Sequence, residues 1–214
     1  MKKPTIGIIG MGPVGSILAA HLAKSGEDVV AEDILDKILS TIRKDGLNIS
    51  GITKLTAKID KTANSISKLA EYNPDIVFVA TKASVLRHVL PELKRAYTPE
   101  MKIVSYQNGL DNERTIAETL GIATTYRVVI NYAGNLVSPG NVSMNWFQPP
   151  NYIGALHKKR YTTDETTRYI AKTMTASGLK TEETPDIKKH VWEKTILNSC
   201  LLYTSDAADE EDSV

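Results

Sequence analysis

Apolar positions in the first 120 residues fall into two patterns that alternate along the chain. Short continuous runs rich in β-branched residues predict buried strands, and apolar residues spaced three and four apart predict helices with one buried face. The predicted strands lie at 5–9, 28–31, 75–80 and 102–106, and the predicted helices lie at 16–25, 34–44, 85–96 and 112–120. Repeated strand–helix units predict a parallel sheet with helices on both faces, in which ligands bind at the carboxyl ends of the strands.

The second half of the chain has a different pattern. From Thr124 onward the residues suit antiparallel strands. These strands are predicted at 126–132, 142–146 and 152–155, with a turn at 138–140. An irregular stretch from Leu47 to Lys61 has room for one or two short strands. Residues 163–177 predict an amphipathic helix, and Pro185 predicts the start of a last helix that should begin a new unit.

Composition narrows the class of protein. The chain has 214 residues, 42% hydrophobic and 24% charged, which is typical of a globular protein and excludes a disordered one. No run approaches the roughly 18 apolar residues of a membrane span, so we expect a cytoplasmic protein with no membrane partner. The single cysteine, Cys200, excludes an internal disulfide framework, and no motif surrounds the four histidines, so no metal site is predicted.

The net charge of +1 gives no reason to expect a nucleic-acid partner, but the charge is unevenly distributed. Residues 200–214 contain five acidic residues and no lysine or arginine. The other 199 residues therefore have 26 basic against 20 acidic side chains. The body of the chain is basic, which suits anionic ligands.

A glycine-rich turn follows the first predicted strand and opens the first predicted helix. It consists of Gly10, Met11, Gly12, Pro13, Val14 and Gly15. Such a turn lets a pyrophosphate approach the backbone, and the helix N-terminus directs N–H groups and a positive dipole at the anion. A tight packing turn is the alternative. Its position inside a strand–helix–strand unit favours dinucleotide binding.

Glu32 and Asp33 follow the second predicted strand, where the adenosine ribose of a bound dinucleotide lies. A carboxylate there accepts from the ribose 2′-hydroxyl, whereas a 2′-phosphate needs a cation. The two acids therefore favour NAD(H), unless Lys37 or Arg43 compensates. In the alternative interpretation the strand stops earlier and Asp33 caps the next helix.

Two further candidates follow the next predicted strands, at the same sheet edge. Lys82 can meet a phosphate or a substrate carboxylate, and Asn108 can donate to a carbonyl while accepting from a cofactor amide. The alternatives are an exposed loop cation and an ordinary Asn-Gly turn. Position alone does not separate them.

Lys194 and Asn198 are four residues apart in the last predicted helix and share one face of it. A lysine that donates a proton to a developing alkoxide suits carbonyl reduction. A solvated lysine on a surface helix is the alternative, and spacing alone favours it.

Taken in order, these residues resemble the ketopantoate reductase (2-dehydropantoate 2-reductase) family. The resemblance runs from about Thr5 to Ser199 and rests on the Gly10 turn, Gly46-Leu47, 75–82, Gln107-Asn108-Gly109, Pro139-Gly140, Ile153-Gly154 and Trp192-Glu193-Lys194 with Asn198. It implies an enzyme that reduces a 2-oxo acid to a 2-hydroxy acid with NAD(P)H, foremost 2-dehydropantoate to pantoate in pantothenate biosynthesis.

The resemblance also assigns roles to the candidates. It implies that Lys194 is the general acid at the ketone oxygen, that Asn198 holds substrate, and that Lys82 and Asn108 lie beside cofactor and substrate. The family normally uses NADP(H), against the NAD(H) that Glu32 and Asp33 favour. One alternative is therefore an NAD-dependent D-2-hydroxyacid dehydrogenase of the same family. The alternative from another class is a non-catalytic dinucleotide-binding or redox-sensing module.

The expected fold class is α/β. A Rossmann-type doubly wound sheet is expected over 1–184, and the first helix of an all-helical substrate and dimerisation domain over 185–199. That domain normally supplies a second asparagine, a serine and a glutamate, but Leu202 stands where the second asparagine is expected. We therefore expect a truncated chain whose full-length parent could form a homodimer.

Residues 200–214 have a separate explanation. Cys200 to Asp209 resembles the conceptual translation of a transposon-based sequencing adapter. We therefore expect the natural reading frame to be interrupted at Ser199 and the acidic tail to be non-native. A genuine disordered acidic C-terminus is the alternative, and sequencing the source locus across the Ser199 codon distinguishes the two.

Overall fold

The computed structural model describes residues 3–157, 163–197 and 199. Its strands are β1 (Thr5–Ile9), β2 (Asp28–Glu32), β3 (Leu47–Gly51), β4 (Leu55–Ala57), β5 (Lys61–Ala63), β6 (Ile76–Val79), β7 (Lys102–Ser105), β8 (Thr125–Val129), β9 (Tyr132–Ser138), β10 (Asn141–Phe147), β11 (Asn151–Ala155) and β12 (Thr181–Glu183). Its α-helices are α1 (Pro13–Lys24), α2 (Asp36–Asp45), α3 (Ile66–Ala70), α4 (Leu86–Ala96), α5 (Asn112–Leu120), α6 (Glu165–Ala176) and α7 (187–197).

Eight strands form the main sheet in the order β12-β11-β8-β7-β6-β1-β2-β5. The strands from β8 to β5 are parallel, and β11 runs antiparallel to β8. The chain passes from β1 to β2 on one side and later returns to β6 on the other, so the crevice between β1 and β6 is a topological switch point. The predicted α/β, doubly wound sheet is confirmed.

Helices cover both faces of this sheet. Along β6, Ile76 and Phe78 contribute to one hydrophobic core, and Val77 and Val79 contribute to the other. Because successive strand residues point to opposite faces, the two cores lie on opposite sides of the sheet. The first core includes α1 and α6, and the second includes α3, α4 and α5.

A second sheet of four strands, in the order β4-β3-β10-β9, packs on α1. The approach is close, because a Cβ on Gly134 of β9 would lie 2.9 Å from Ile17 Cδ1. The strand predicted at 126–132 is wrong in one respect, since it divides into β8 and β9, which belong to different sheets. The break falls at Asn131, whose N–H donates to Asn151 Oδ1 at 2.8 Å and whose Nδ2 donates to the Pro150 carbonyl at 2.6 Å.

The last helix begins at residue 187, two residues later than Pro185 predicted. Asp186 accounts for the shift, because its Oδ1 accepts from the Lys189 N–H at 3.4 Å, as an N-capping side chain does. Among the described residues, no helix is long and apolar enough to cross a membrane. Residues 200–214 lie outside the described residues, so the interpretation of the tail stays a prediction.

Candidate functional site

A cleft of about 570 Å³ lies beyond the carboxyl ends of β1, β6 and β7, at the switch point of the main sheet. Ligands of doubly wound folds bind in such a crevice. Its lining includes seven of the predicted site residues: Gly10, Gly12, Pro13, Val14, Asp33, Lys82 and Asn108. The second sheet contributes Gly134 to the lining.

Packing within the protein explains two of the three glycines of the turn but not the third. Gly10 has φ +94°, and a Cβ there would lie 2.9 Å from Thr81 Cγ2. A Cβ on Gly15 would collide with the Gly10 carbonyl, so Gly15 allows α1 to pack against the sheet. A Cβ on Gly12 would meet nothing within 4 Å. Protein packing therefore does not explain Gly12, whereas a ligand that approaches the backbone through the cleft does.

The carboxylate of Asp33 connects the end of β2 to the glycine turn. Its Oδ2 accepts from the Met11 N–H at 2.8 Å, and its Oδ1 accepts from the Leu35 N–H at 2.9 Å. Leu35 is the N-cap of α2, so the alternative in which Asp33 caps that helix is wrong. Met11 is fully buried and is not part of the cleft lining, so its predicted contact with cofactor remains a prediction without support from its position.

A second pocket of about 310 Å³ adjoins the cleft and shares Gly10, Asp33, Ile34, Thr81 and Val85 with it. Its other lining residues are Ile9, Glu32, Ile66, His88, Val89 and Glu92. Three carboxyl groups thus meet at this pocket, one of them from α4. Neither Lys37 nor Arg43 lines it, and Arg43 Nη1 instead donates to Thr62 Oγ1 at 2.6 Å.

The carboxyl group of Glu32 is almost completely buried, with 3% of the residue exposed. Burial, together with the negative charges of Asp33 and Glu92, raises the pKa of Glu32 to about 8, while the Gly10 N–H opposes the shift. At neutral pH this carboxyl group is largely protonated. A protonated Glu32 can both donate and accept a hydrogen bond in the pocket.

Lys82 and Asn108 are both exposed side chains of the cleft, at the ends of neighbouring strands. The loops that carry them are tied together by Gln107, whose Nε2 donates to the Thr81 carbonyl at 2.9 Å. Asn112 Nδ2 donates to the Asn108 carbonyl at 2.9 Å and so restrains the loop that carries Asn108. Gln107 was not a predicted site residue, although its polar side chain directly after a buried strand is a signal of a constrained position.

Lys194 lies on the side of the second sheet and is not among the cleft-lining residues. Its Nζ lies 4.6 Å from the ring centroid of Trp146, and partial burial lowers the pKa of Lys194 below its usual value. Trp146 is paired with Ala133 in β9, next to the cleft residue Gly134. The described structure therefore places Lys194 beside Trp146 of the second sheet, and its role at the cleft stays a prediction. Asn198 lies outside the described residues, so its role stays a prediction.

The comparison with known proteins adds to this geometry. The family described as "Ketopantoate reductase PanE/ApbA" matches residues 6–158. The chain belongs to the ketopantoate reductase family. The 2-dehydropantoate 2-reductases of Pyrococcus horikoshii and Pyrococcus abyssi are 31% and 27% identical to it over 198 and 199 residues. Each alignment covers 91% of this chain, which spans about 60% of the length of these curated relatives.

Solved structures show the same fold as this ketopantoate reductase family member. The 2-dehydropantoate 2-reductase of Geobacter metallireducens has a TM-score of 0.80 at 24% identity, covering 91% of this chain and 62% of its own. D-mandelate dehydrogenase, solved with NADH and anilino(oxo)acetate, has a TM-score of 0.71 at 20% identity, covering 91% and 61%. At these identities the likeness concerns the fold.

Proposed function

We propose that this chain is the dinucleotide-binding part of a reductase that converts a 2-oxo acid to a 2-hydroxy acid with a nicotinamide cofactor. The observation that carries the proposal is the cleft itself. It brings an unobstructed Gly12 backbone together with Lys82 and Asn108 at the switch point of the sheet. Membership of the ketopantoate reductase family supports the same reaction, with 2-dehydropantoate as the first substrate to test.

The residues present fit a dinucleotide. The N-terminus of α1 and the exposed backbone at Gly12 suit the pyrophosphate, and the aliphatic walls of the adjoining pocket, Ile34, Val85 and Val89, suit an adenine ring. The adjoining pocket also favours NAD(H) over NADP(H). A 2′-phosphate there would meet the negative charges of Asp33 and Glu92 beside the protonated Glu32, without a lining lysine or arginine.

The bound cofactor supplies the hydride that adds to the substrate carbonyl. The protein then has to hold the 2-oxo acid and to deliver a proton to the oxygen that becomes an alkoxide. Lys194 is the proposed proton donor, and the Trp146 ring stabilises its ammonium form. Asn108 and Asn198 are the proposed substrate-binding residues, and Lys82 supplies positive charge for an anionic ligand.

A second candidate is an NAD-dependent D-2-hydroxyacid dehydrogenase of the same family. The acidic pocket beside Glu32 favours it specifically, because family members specific for 2-dehydropantoate normally use NADP(H). The fold likeness to D-mandelate dehydrogenase is compatible with this candidate. The two candidates share the reaction and differ in the substrate side chain and the cofactor.

The decisive experiment has two parts. NADH and NADPH are titrated against the 214-residue chain, and we expect tighter binding of NADH. The full-length gene product is then assayed with a panel of 2-oxo acids that includes 2-dehydropantoate and an aryl 2-oxo acid. Tighter binding of NADPH would contradict the assignment of the pocket.

The matched variants are Lys194→Ala and Lys189→Ala, which remove lysines from the same helix. Lys189 is exposed, and its Nζ lies 3.7 Å from Glu193 Oε1. We expect Lys194→Ala to abolish most of the reduction while NADH still binds, and Lys189→Ala to change neither. If the protein binds cofactor but reduces no 2-oxo acid, and Lys194→Ala does not change cofactor binding, a non-catalytic sensor would be favoured instead.

A further inference from the structure

Arg127 occupies an unusual position for a cation, in the interior of the main sheet. It belongs to β8, between β7 and β11, and only 3% of the residue is exposed. A buried charge is tolerated when it is paired and hydrogen-bonded. The partner is Glu113 in the first turn of α5, also buried, whose Oε2 lies 3.3 Å from Arg127 Nη1.

The guanidinium group of Arg127 also contacts the chain on both sides of one loop. Its Nη1 donates to Ser105 Oγ at 2.9 Å, at the end of β7, and its Nη2 donates to the Gly109 carbonyl at 3.0 Å. Glu113 follows the same loop, at the start of α5. One side chain therefore connects the residue before the loop, a residue within it and a residue after it.

The connected loop, residues 106–111, carries Asn108 into the cleft. Its backbone needs restraint, because Gly109 has φ +100° and Asp111, which has a Cβ, has φ +60°. The Gly109 carbonyl that Arg127 binds belongs to the residue directly after Asn108. A planar guanidinium group can reach Ser105, Gly109 and Glu113 at once, whereas a lysine ammonium on its flexible chain cannot.

We propose that the buried Arg127–Glu113 pair is a positioning device that holds Asn108 in the cofactor and substrate cleft. Arg127 does not line the cleft, so it acts through the Gly109 carbonyl and not by contact with a ligand. The proposal rests on the proposed function only in the role given to Asn108. It assigns a reason for a charge pair that stability alone does not require, since an apolar pair can replace buried ions at little cost.

The test compares the 214-residue chain with the double variant Arg127→Met/Glu113→Gln, which removes both charges and leaves no unpaired ion. The control is Arg114→Met/Glu118→Gln, which removes an exposed ion pair from the same helix α5. Melting temperature, NADH affinity and the side-chain amide NMR signals of Asn108 are measured. The Asn108 signals are assigned by their absence in Asn108→Asp.

We expect the double variant to melt near the wild type but to bind NADH about fivefold or more weakly, the size of one lost hydrogen-bond coupling. Its Asn108 signals should move or broaden, and adding Asn108→Ala should weaken binding no further. The control should match the wild type in all three measurements. Wild-type Asn108 signals and NADH affinity in a folded double variant would overturn the proposal.

Arg127→Lys is the second variant, for use if the double variant does not fold. It keeps the positive charge beside Glu113 but lacks the planar guanidinium group that contacts both Ser105 and Gly109. The same change in the Asn108 signals is therefore expected, and unchanged signals would overturn the proposal. The NMR measurement needs no cofactor. If the wild type binds neither NADH nor NADPH, the proposed function fails, while the Asn108 signals still decide the role of Arg127.

Discussion

The buried carboxyl group of Glu32 predicts a specific dependence of stability on pH. Its pKa is about 8 in the folded protein, against 4.5 for an ordinary glutamate. Between these values the unfolded chain loses the proton while the folded protein keeps it, so stability falls as pH rises. Below pH 4.5 both states are protonated and the group has no effect.

The magnitude follows from the size of the shift. At about 1.4 kcal/mol per pKa unit, the full penalty above pH 8 is about 5 kcal/mol, an upper figure for a group this buried. At pH 6 only the first part of the interval has been crossed, and the penalty is about 2 kcal/mol. Glu32→Gln keeps the shape of the side chain without an ionisable proton and should remove this penalty.

The assay is urea unfolding of cofactor-free protein at pH 6, 7.5 and 9, with wild type and Glu32→Gln compared at each pH. The difference in unfolding free energy should grow in favour of the variant by about 2.5 kcal/mol from pH 6 to pH 9. Glu100→Gln, at an exposed position before β7, is the control and should follow the wild type. A difference that stays constant over this range would refute the argument.

Three other predictions concern the turn, the α1 core and the lysine. Gly12→Ala should leave the melting temperature unchanged and weaken NADH binding, whereas Gly15→Ala should lower the melting temperature, because its Cβ meets the Gly10 carbonyl. Burial lowers the pKa of His21, and its Nε2 has no partner among the described residues, so the free energy of unfolding should fall as pH drops below about 6.5. In urea unfolding, His21→Gln should remove this dependence on pH. Trp146→Leu should lower the pKa of Lys194, by at most about 1.5 units, in an NMR titration of lysine side chains.

Local patterns were sufficient for the elements of the main sheet. β1 and α5 have the predicted bounds, because a continuous apolar run and an amphipathic run are each complete within a few residues. The carboxyl-edge rule for parallel strands then brought Gly12, Lys82 and Asn108 to one cleft, as expected. Each of these predictions needs only short segments and one topological rule.

The second sheet depends on one pairing that no local pattern specifies. β3 pairs in parallel with β10, so Asn48 lies opposite Asn141, far away in sequence. Glu92 of α4 lines the same pocket as Glu32 and Asp33 at the end of β2, and Lys194 lies against Trp146 of β10. These contacts follow from the assembled fold and could not be predicted from residue spacing.

The burial of Arg127 likewise could not be predicted from the sequence. An arginine in a strand normally predicts an exposed edge or face, since burying an unpaired cation is costly. Here Glu113, fourteen positions earlier, supplies the opposite charge after α5 has folded back on the sheet. The burial of Arg127 is therefore a property of the pair, and only the structure reveals the pair.

The basic charge of the whole chain and the acidic pocket beside β2 have separate consequences for the binding of an anionic ligand. Residues 1–199 are basic overall, which favours the approach of an anionic cofactor and an anionic acid from a distance. The pocket beside β2 has the opposite character, with Glu32, Asp33 and Glu92 in its lining. In the proposed binding mode a pyrophosphate and a 2′-phosphate meet different fields: the first would lie at the N-terminus of α1, and the second would lie among carboxyl groups. The proposed preference for NAD(H) rests on this pocket, so replacing Asp33 and Glu92 with neutral residues should narrow the difference between NADH and NADPH affinity even though the rest of the cleft is unchanged.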